Sequence, residues 1–187
     1  LTASGIMPAD YPVTAFSLTG YSGGGKKMIA AYEGEKTTDL LAPRQYGLGQ
    51  THKHLPEIVT ICHLADKPLF SPIVDDYYSG MEVTVPVFTK LLKGTPGIQS
   101  VWEALAVHYE GCDFIHVRPL GEDKGGFLAA NDMSGRDDME IFVTGNDQRI
   151  LLTSVFDNLG KGASGAAIQN MNIMLGIDPK TGLNLGE

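Results

Sequence analysis

Between Gly80 and Tyr109 the apolar pattern of this chain changes its period from two residues to nearly four. Met81, Val83, Val85 and Val87 alternate along one face, the mark of a half-buried strand over Gly80 to Phe88. Ile98, Val101, Trp102, Leu105 and Tyr109 fall at i, i+3, i+4, i+7 and i+11, an amphipathic helix closed by Gly111, with Trp102 in its core stripe. A chain that carries both periods combines a sheet with helices laid on it, and the rest of the sequence extends that reading. Further strands are expected over Pro12 to Leu18, Phe114 to Val117, Met139 to Val143 and Ile150 to Phe156. The last two are joined by the turn residues Thr144 to Gln148 in a hairpin. Further helices are expected over Met28 to Tyr32, ended by Gly34, over about Pro56 to Ala65, and over Ala163 to Leu175. Pro86 places its strand at an edge or a bulge, and Pro68 stops the preceding helix. The fold class is therefore α/β (α+β), with a mixed, largely antiparallel sheet. Glu35 to Pro43 reads as a polar loop, Pro119 to Asp137 as a candidate lid or a mobile excursion, and Asp178 onward as a loose tail.

The chain has 187 residues, enough for one compact domain or for one domain with an appended piece of a larger fold. Its 22 acidic and 14 basic side chains give a net charge of −8, and no basic stripe interleaves with aromatics, so nucleic acid is not expected as a partner. Two cysteines, Cys62 and Cys112, make no disulfide framework, and a reducing, cytoplasmic setting is expected. No apolar run approaches the roughly 20 residues that span a bilayer, so no membrane partner is expected. The first residues read as the interior of a longer chain, without an initiator methionine.

The chemistry-bearing candidates lie in three places. In Thr51-His52-Lys53-His54-Leu55-Pro56-Glu57, two imidazoles two residues apart stand just before a helix start, where Pro56 fits the first turn and Glu57 favours the positive end of the helix dipole. In an extended segment both rings point to one side and either exchanges protons near neutral pH, although structural or surface duty, or metal ligation, are the alternatives for such a pair. Ser22-Gly23-Gly24-Gly25-Lys26 lies between a strand and a helix, with backbone amides unobstructed by Cβ atoms, so that an anion or a cofactor edge can dock there or the turn can stand empty. It is neither a P-loop nor a dinucleotide fingerprint. Asp157 to Gly162 leads into a helix whose first residues, Ala163 to Ala167, are small enough for close approach by a ligand or another element. Cys62 is expected in the core on the apolar stripe of its helix, and Cys112 beside Asp113 is no nucleophile. His63, His108 and His116 stand singly, so no metal is implied. Arg44 and Lys53 flank the histidine segment, and either can receive a substrate carboxylate or remain a solvated charge.

Taken together, Ser-Gly-Gly-Gly-Lys at 22–26, His-Lys-His-Leu-Pro-Glu at 52–57 and Asp-Asn-Leu-Gly-Lys-Gly-Ala-Ser-Gly-Ala-Ala-Ile-Gln-Asn-Met-Asn at 157–172 resemble the shorter subclass of the N-acetyl-γ-glutamyl-phosphate reductases. The resemblance runs from about Leu1 to Gly176 and covers the later part of that family's chain. It implies a glyceraldehyde-3-phosphate-dehydrogenase-like C-terminal domain, catalytic and dimerising, over 1–156, and over 157–187 a return helix and tail that pack on an NADP-binding Rossmann domain. That domain and the motif bearing the family's nucleophilic cysteine are expected upstream of Leu1, so the chain alone is expected to be inactive. The implied reaction is reduction of N-acetylglutamyl 5-phosphate to its semialdehyde through a cysteine thioester, in arginine biosynthesis. The implied partners are that acyl phosphate and further copies of the chain, as a dimer or tetramer. By the same resemblance His54 is the acid/base, and His52 and Glu57 orient it or touch substrate. Asn158 receives the nicotinamide carboxamide, Ser22, Gly23, Gly24 and Gly25 lie beside cofactor and acyl phosphate, and Lys161 is a further cofactor contact. Where relatives carry Thr-Asn, this chain has Arg136-Asp137-Asp138, which puts any contact of that pair in doubt.

Overall fold

The computed structural model describes residues 1–186. Seven strands form one sheet: β1 (Thr14–Gly20), β2 (Arg44–Gln45), β3 (Leu69–Asp75), β4 (Met81–Phe88), β5 (Ile115–Val117), β6 (Met139–Asn146) and β7 (Arg149–Phe156), in the order β2-β3-β1-β4-β7-β6-β5. The β1–β3 and β5–β6 pairs are parallel and the other four are antiparallel. Four helices accompany it: α1 (Gly25–Glu33), α2 (Leu55–Cys62), α3 (Ile98–His108) and α4 (Gly165–Leu175). None is long and apolar enough to cross a membrane among the described residues.

The alternating residues of β4 do divide between two faces. On one, Val87 joins Val143 and Ile150 beneath the fully buried Val101 of α3. Trp102 is partly buried at the rim of this cluster, and its indole N–H donates to the Arg118 carbonyl at 2.8 Å. The same face continues to Ala15 and Phe70, covered by Leu55 at the start of α2. On the opposite face Phe142 and Val155 lie under Met133 and Leu128, so residues 119–137 pack as a cover over β6 and β7. Ion pairs of Lys124 with Asp132 and Glu140, and of Arg118 with Glu122, hold that cover.

Several expectations are corrected. Strand β3, which pairs with both β1 and β2, has no counterpart in the sequence reading, because Pro68 and Pro72 mask it. Pro72 is tolerated because its carbonyl accepts from Tyr46 N–H on the β2 side; a strand residue's N–H and C=O point the same way, so the missing donor faces the sparse two-residue neighbour. β4 is central rather than an edge, although Pro86 lies beyond the last β1–β4 pair, Phe16 with Thr84, and has a ladder partner only in β7. Cys62 is exposed, because α2 meets the sheet through Leu55 and its far end, with Ile61 at 68% exposure, extends past the sheet. The hairpin turn shrinks to Asp147 and Gln148, pinned by Asn146 Oδ1 accepting from the backbone N–H of Gln148 and Arg149.

The C-terminal residues are not loose. Asn184 N–H donates to Asp137 Oδ2, Asp137 N–H donates to the Asn184 carbonyl, and Arg136 reaches the Leu185 carbonyl. Asn172, buried in α4, donates to the carbonyls of Pro179 and Thr181. The small residues after Asp157 serve another element: a π-helical turn, Gly160–Ser164, precedes α4, and a Cβ on Gly160 or Gly165 would stand 2.2 Å from the Arg136 carbonyl or 2.1 Å from Asp137 Oδ1.

Arg136-Asp137-Asp138 is thus a structural knot. Asp138, with no exposed side-chain surface, accepts from Arg136 Nε at 2.8 Å and pairs with His116 Nε2 at 3.1 Å. Arg136 and His116 keep 31% and 41% of their side-chain surface in water, so Asp138→Ala removes their hydrogen bonds without burying a bare charge and is expected to lower the free energy of unfolding by about 1–3 kcal/mol. Urea denaturation measures this; a loss under about 1 kcal/mol would show that Arg136 and His116 regain water at no cost.

Candidate functional site

A cavity of about 420 Å³ opens where the C-terminal ends of the parallel strands β1 and β3 meet the start of β4 and the end of β7. Its wall contains Gly23, Gly24, His52, Lys53, His54 and Asn158, so all three sequence segments contribute to one hollow. The apolar part of the wall is Met28, Phe70, Val74, Met81 and Phe156.

The glycine segment begins where β1 runs into a 3-10 turn, Tyr21–Gly24, and then α1. Its first amides are already spent: Tyr21 N–H donates to the Tyr77 carbonyl and Ser22 N–H to the Tyr78 carbonyl. Gly25 N–H donates to the Ser22 carbonyl, and Gly25 is not part of the cavity wall. The amides available to a ligand are therefore fewer than the sequence suggests. A Cβ on Gly24 would lie 2.3 Å from the Met28 sulfur and 2.7 Å from its Cβ, so a larger residue there would displace Met28 from the wall.

Asn158 is held at both ends of its amide. Its Nδ2 donates to the buried Ser22 hydroxyl at 3.0 Å, and its Oδ1 accepts from Gly80 N–H at 2.8 Å. Ser22 thus positions Asn158 and does not itself line the hollow. An amide has two N–H donors and two lone pairs, so one donor and one acceptor remain for a carboxamide partner. Lys161 is elsewhere: it projects from the π-helical turn, away from the cavity, to Gln169 Oε1 at 3.0 Å and over the Phe114 ring at 5.0 Å, and burial lowers its pKa.

The histidines are brought together by a turn, not by an extended segment. Leu55 N–H donates to the His52 carbonyl, His54 is in the αR conformation at the N-cap of α2, and the two rings lie 5.0 Å apart. His54 Nδ1 is 2.9 Å from Glu57 Oε2, while His52 Nδ1 accepts the backbone N–H of His54 at 3.3 Å. These partners set opposite tautomers. The Glu57 carboxylate keeps the proton on His54 Nδ1 and leaves Nε2 as a base; the N–H of residue 54 keeps His52 Nδ1 bare and places the proton on its Nε2. Glu57 stands behind His54 and outside the wall. The His52 ring meets Phe70 edge-on at 5.1 Å and lies tilted by 56° to Tyr46 at 6.0 Å.

Sequence reasoning missed Tyr46, Thr19 and Phe70; the last follows from the hidden strand β3. Burial raises the Tyr46 hydroxyl's pKa. Arg44 is withdrawn from the choice of substrate partners, because it pairs with Asp39 and the Tyr32 hydroxyl outside the cavity. Neither cysteine lies in the wall.

Desolvation, followed by the charges of His54 and Lys53, lowers the His52 pKa below its usual 6.5. The folded state therefore binds fewer protons at this site than the unfolded state. Its contribution to stability is present above pH 6.5 and is lost as pH falls through the lowered folded value. An NMR titration of the imidazole signals is expected to show His52 titrating below 6.5 and moving upward in His54→Gln, by less than the full shift because burial leads. A His52 midpoint at or above 6.5 in the unaltered protein contradicts this account of its surroundings.

The described geometry has known counterparts. A family model for the semialdehyde dehydrogenase dimerisation domain matches residues 1–158. N-acetyl-gamma-glutamyl-phosphate reductase from Brucella anthropi is 45% identical over 181 residues, which span 94% of this chain and 58% of that protein. The Brucella ovis protein of the same name is 44% identical with the same coverage. The chain thus spans less than two thirds of the length of these relatives. Among solved structures, aspartate semialdehyde dehydrogenase II from Vibrio cholerae superposes with a TM-score of 0.64 at 18% identity, covering 87% of this chain and 54% of that one. Aspartate semialdehyde dehydrogenase from Francisella tularensis gives 0.62 at 15% identity, covering 87% and 57%. At such identities these structures speak for the fold, and they agree with the expected mixed sheet and its glyceraldehyde-3-phosphate-dehydrogenase-like type. With more than half its length matched by the family model and both its motifs and its sheet in accord, the chain belongs to the semialdehyde dehydrogenase dimerisation-domain family.

Proposed function

We propose that this chain is the substrate-side part of an NADP-dependent reductase that converts N-acetyl-L-glutamyl 5-phosphate to N-acetyl-L-glutamate 5-semialdehyde in the cytoplasm, for arginine biosynthesis. The observation that carries the reading is the 45% identity over 94% of the chain to a reductase of that name. The meeting of His52, His54 and Asn158 around one cavity supports chemistry there, against a module that only dimerises. The fold likeness to aspartate semialdehyde dehydrogenases does not select an aspartyl substrate at 15–18% identity.

The thiolate comes from outside residues 1–187, since neither Cys62 nor Cys112 lines the cavity. It attacks the acyl carbon, the C–O bond breaks, and phosphate leaves with the electron pair, giving a thioester. When bound, the nicotinamide supplies the hydride that reduces the thioester: a C–H bond forms at the acyl carbon, the C–S bond breaks, and the thiolate leaves with the electron pair as the aldehyde is released. His54, held by Glu57, takes and returns the proton at Nε2, while His52 donates a hydrogen bond from its Nε2 to the acyl oxygen. Asn158 offers its spare donor and acceptor to the nicotinamide carboxamide, beside Gly23. The remainder of the dinucleotide binds to a separate domain. Residues 157–187 form the return piece whose helix α4 packs on that domain; its Met174 and Leu175, 87% and 66% exposed, suit such a contact. A second copy covers the open sheet face, where Phe16, Phe88 and Leu151 are 42%, 50% and 44% exposed.

Joined to an upstream dinucleotide-binding segment that carries the cysteine, the chain is expected to reduce NADP with the semialdehyde only when phosphate is present. His54→Asn should then lower kcat by about 10²–10⁴-fold, and Glu57→Gln by less. Full turnover in His54→Asn removes the assignment, and turnover by residues 1–187 alone removes the external thiolate. Leu151→Arg is expected to reduce the oligomer mass in light scattering, and an unchanged mass would place the interface elsewhere.

A further inference from the structure

Nothing in the family match assigns Lys53, yet its surroundings set it apart. The cavity wall contains no aspartate or glutamate among the described residues, although the chain carries 22 of them and a net charge of −8. It is lined instead by His52, His54 and one basic residue, Lys53. The other cations near enough in sequence or structure to compete are accounted for. Arg44 is paired with Asp39, Lys161 is held by Gln169 over Phe114, and Lys26 and Lys27 do not reach the wall. Elsewhere in this acidic chain, Lys36, Arg118, Lys124, Arg136 and Lys180 each have a carboxylate partner. Among the described residues no carboxylate pairs with Lys53, nor with Lys26, Lys27, Lys67, Lys90, Lys93, Arg149 or Lys161, and of these Lys53 alone lines the cavity.

We propose, resting on the reductase reading above, that Lys53 receives the phosphoryl group of the acyl phosphate in this cavity. Its neighbours on either side, His52 and His54, line the same hollow, and the Lys53 charge acts on His52, so this residue belongs to the part of the wall that addresses the acyl carbon. The phosphoryl oxygen is bonded directly to that carbon, whereas the substrate's own carboxylate lies at the far end of the carbon chain. An ammonium donates to phosphate oxygens as a compact charge and offsets the negative charge that gathers on phosphate as the C–O bond breaks. Its field also acts on His52, where it adds to burial in keeping that ring neutral. Phosphate bound next to Lys53 thereby reduces that field and makes the His52 proton easier to retain.

The test uses the full-length enzyme in the reverse direction, with semialdehyde, NADP and inorganic phosphate as separately varied substrates. Lys53→Met is expected to raise the KM for phosphate about ten- to a hundredfold, the range of a lost charged hydrogen bond, while the KM for semialdehyde changes less than about twofold. Lys53→Arg should recover most of the phosphate affinity. A phosphate KM within about twofold of the unaltered enzyme overturns the proposal, as does an increase confined to semialdehyde, which would make the carboxylate the ligand. An unaltered enzyme that shows no phosphate-dependent turnover rejects the parent reading and this one with it, whereas a failure of Lys53 alone leaves turnover intact.

Discussion

The amide of Asn158 is the constraint on which the site depends. Through Ser22 Oγ and Gly80 N–H it ties the turn after β1, the residue before β4 and the segment after β7 into one rim, bridging positions 136 apart in the chain. Each bond is worth only about 1 kcal/mol net, but losing one buried partner leaves the other unsatisfied. The neighbouring Asp157, also buried, extends the rim by accepting from Gly135 N–H and Leu159 N–H. Sheet register does the rest: β1 and β3 run parallel, so their C-terminal ends and the loops that follow meet at the same edge of the cavity.

What the sequence disclosed depended on how local its signals were. The stripe of α3, the alternation of β4 and the β6–β7 hairpin are each decided by residues a few positions apart, and all three were legible. Strand β3 was not, because Pro72 forbids a ladder donor and only the position of the sparse neighbour β2 makes that harmless. Cys62 has the right direction on α2 but not the right depth, since periodicity fixes a face and says nothing of how far a helix overhangs. The C-terminal segment was misread because its anchors, Asp113, Gly135, Arg136 and Asp137, are distant in sequence.

The candidate site divides in the same way. His54 with Glu57 is a local pair at i and i+3, so spacing alone brought it into view. The placement of Asn158 and the glycine turn at one hollow was carried by resemblance, since nothing local links them. Lys161 went astray because the π-helical turn that carries it away from the cavity leaves no mark in the pattern of side chains. Ser22 sits in the right place with a different duty, behind Asn158.

The two margins of the sheet differ from its middle. β2 has two residues and β5 three, while the strands between them have seven or eight. A short margin offers few free backbone donors and acceptors, and Pro72 removes one more beside β2. Lateral growth by strand addition, the route to fibrous aggregates, is therefore suppressed at both rims, and any self-association of this layer is channelled into stacking through its broad surface.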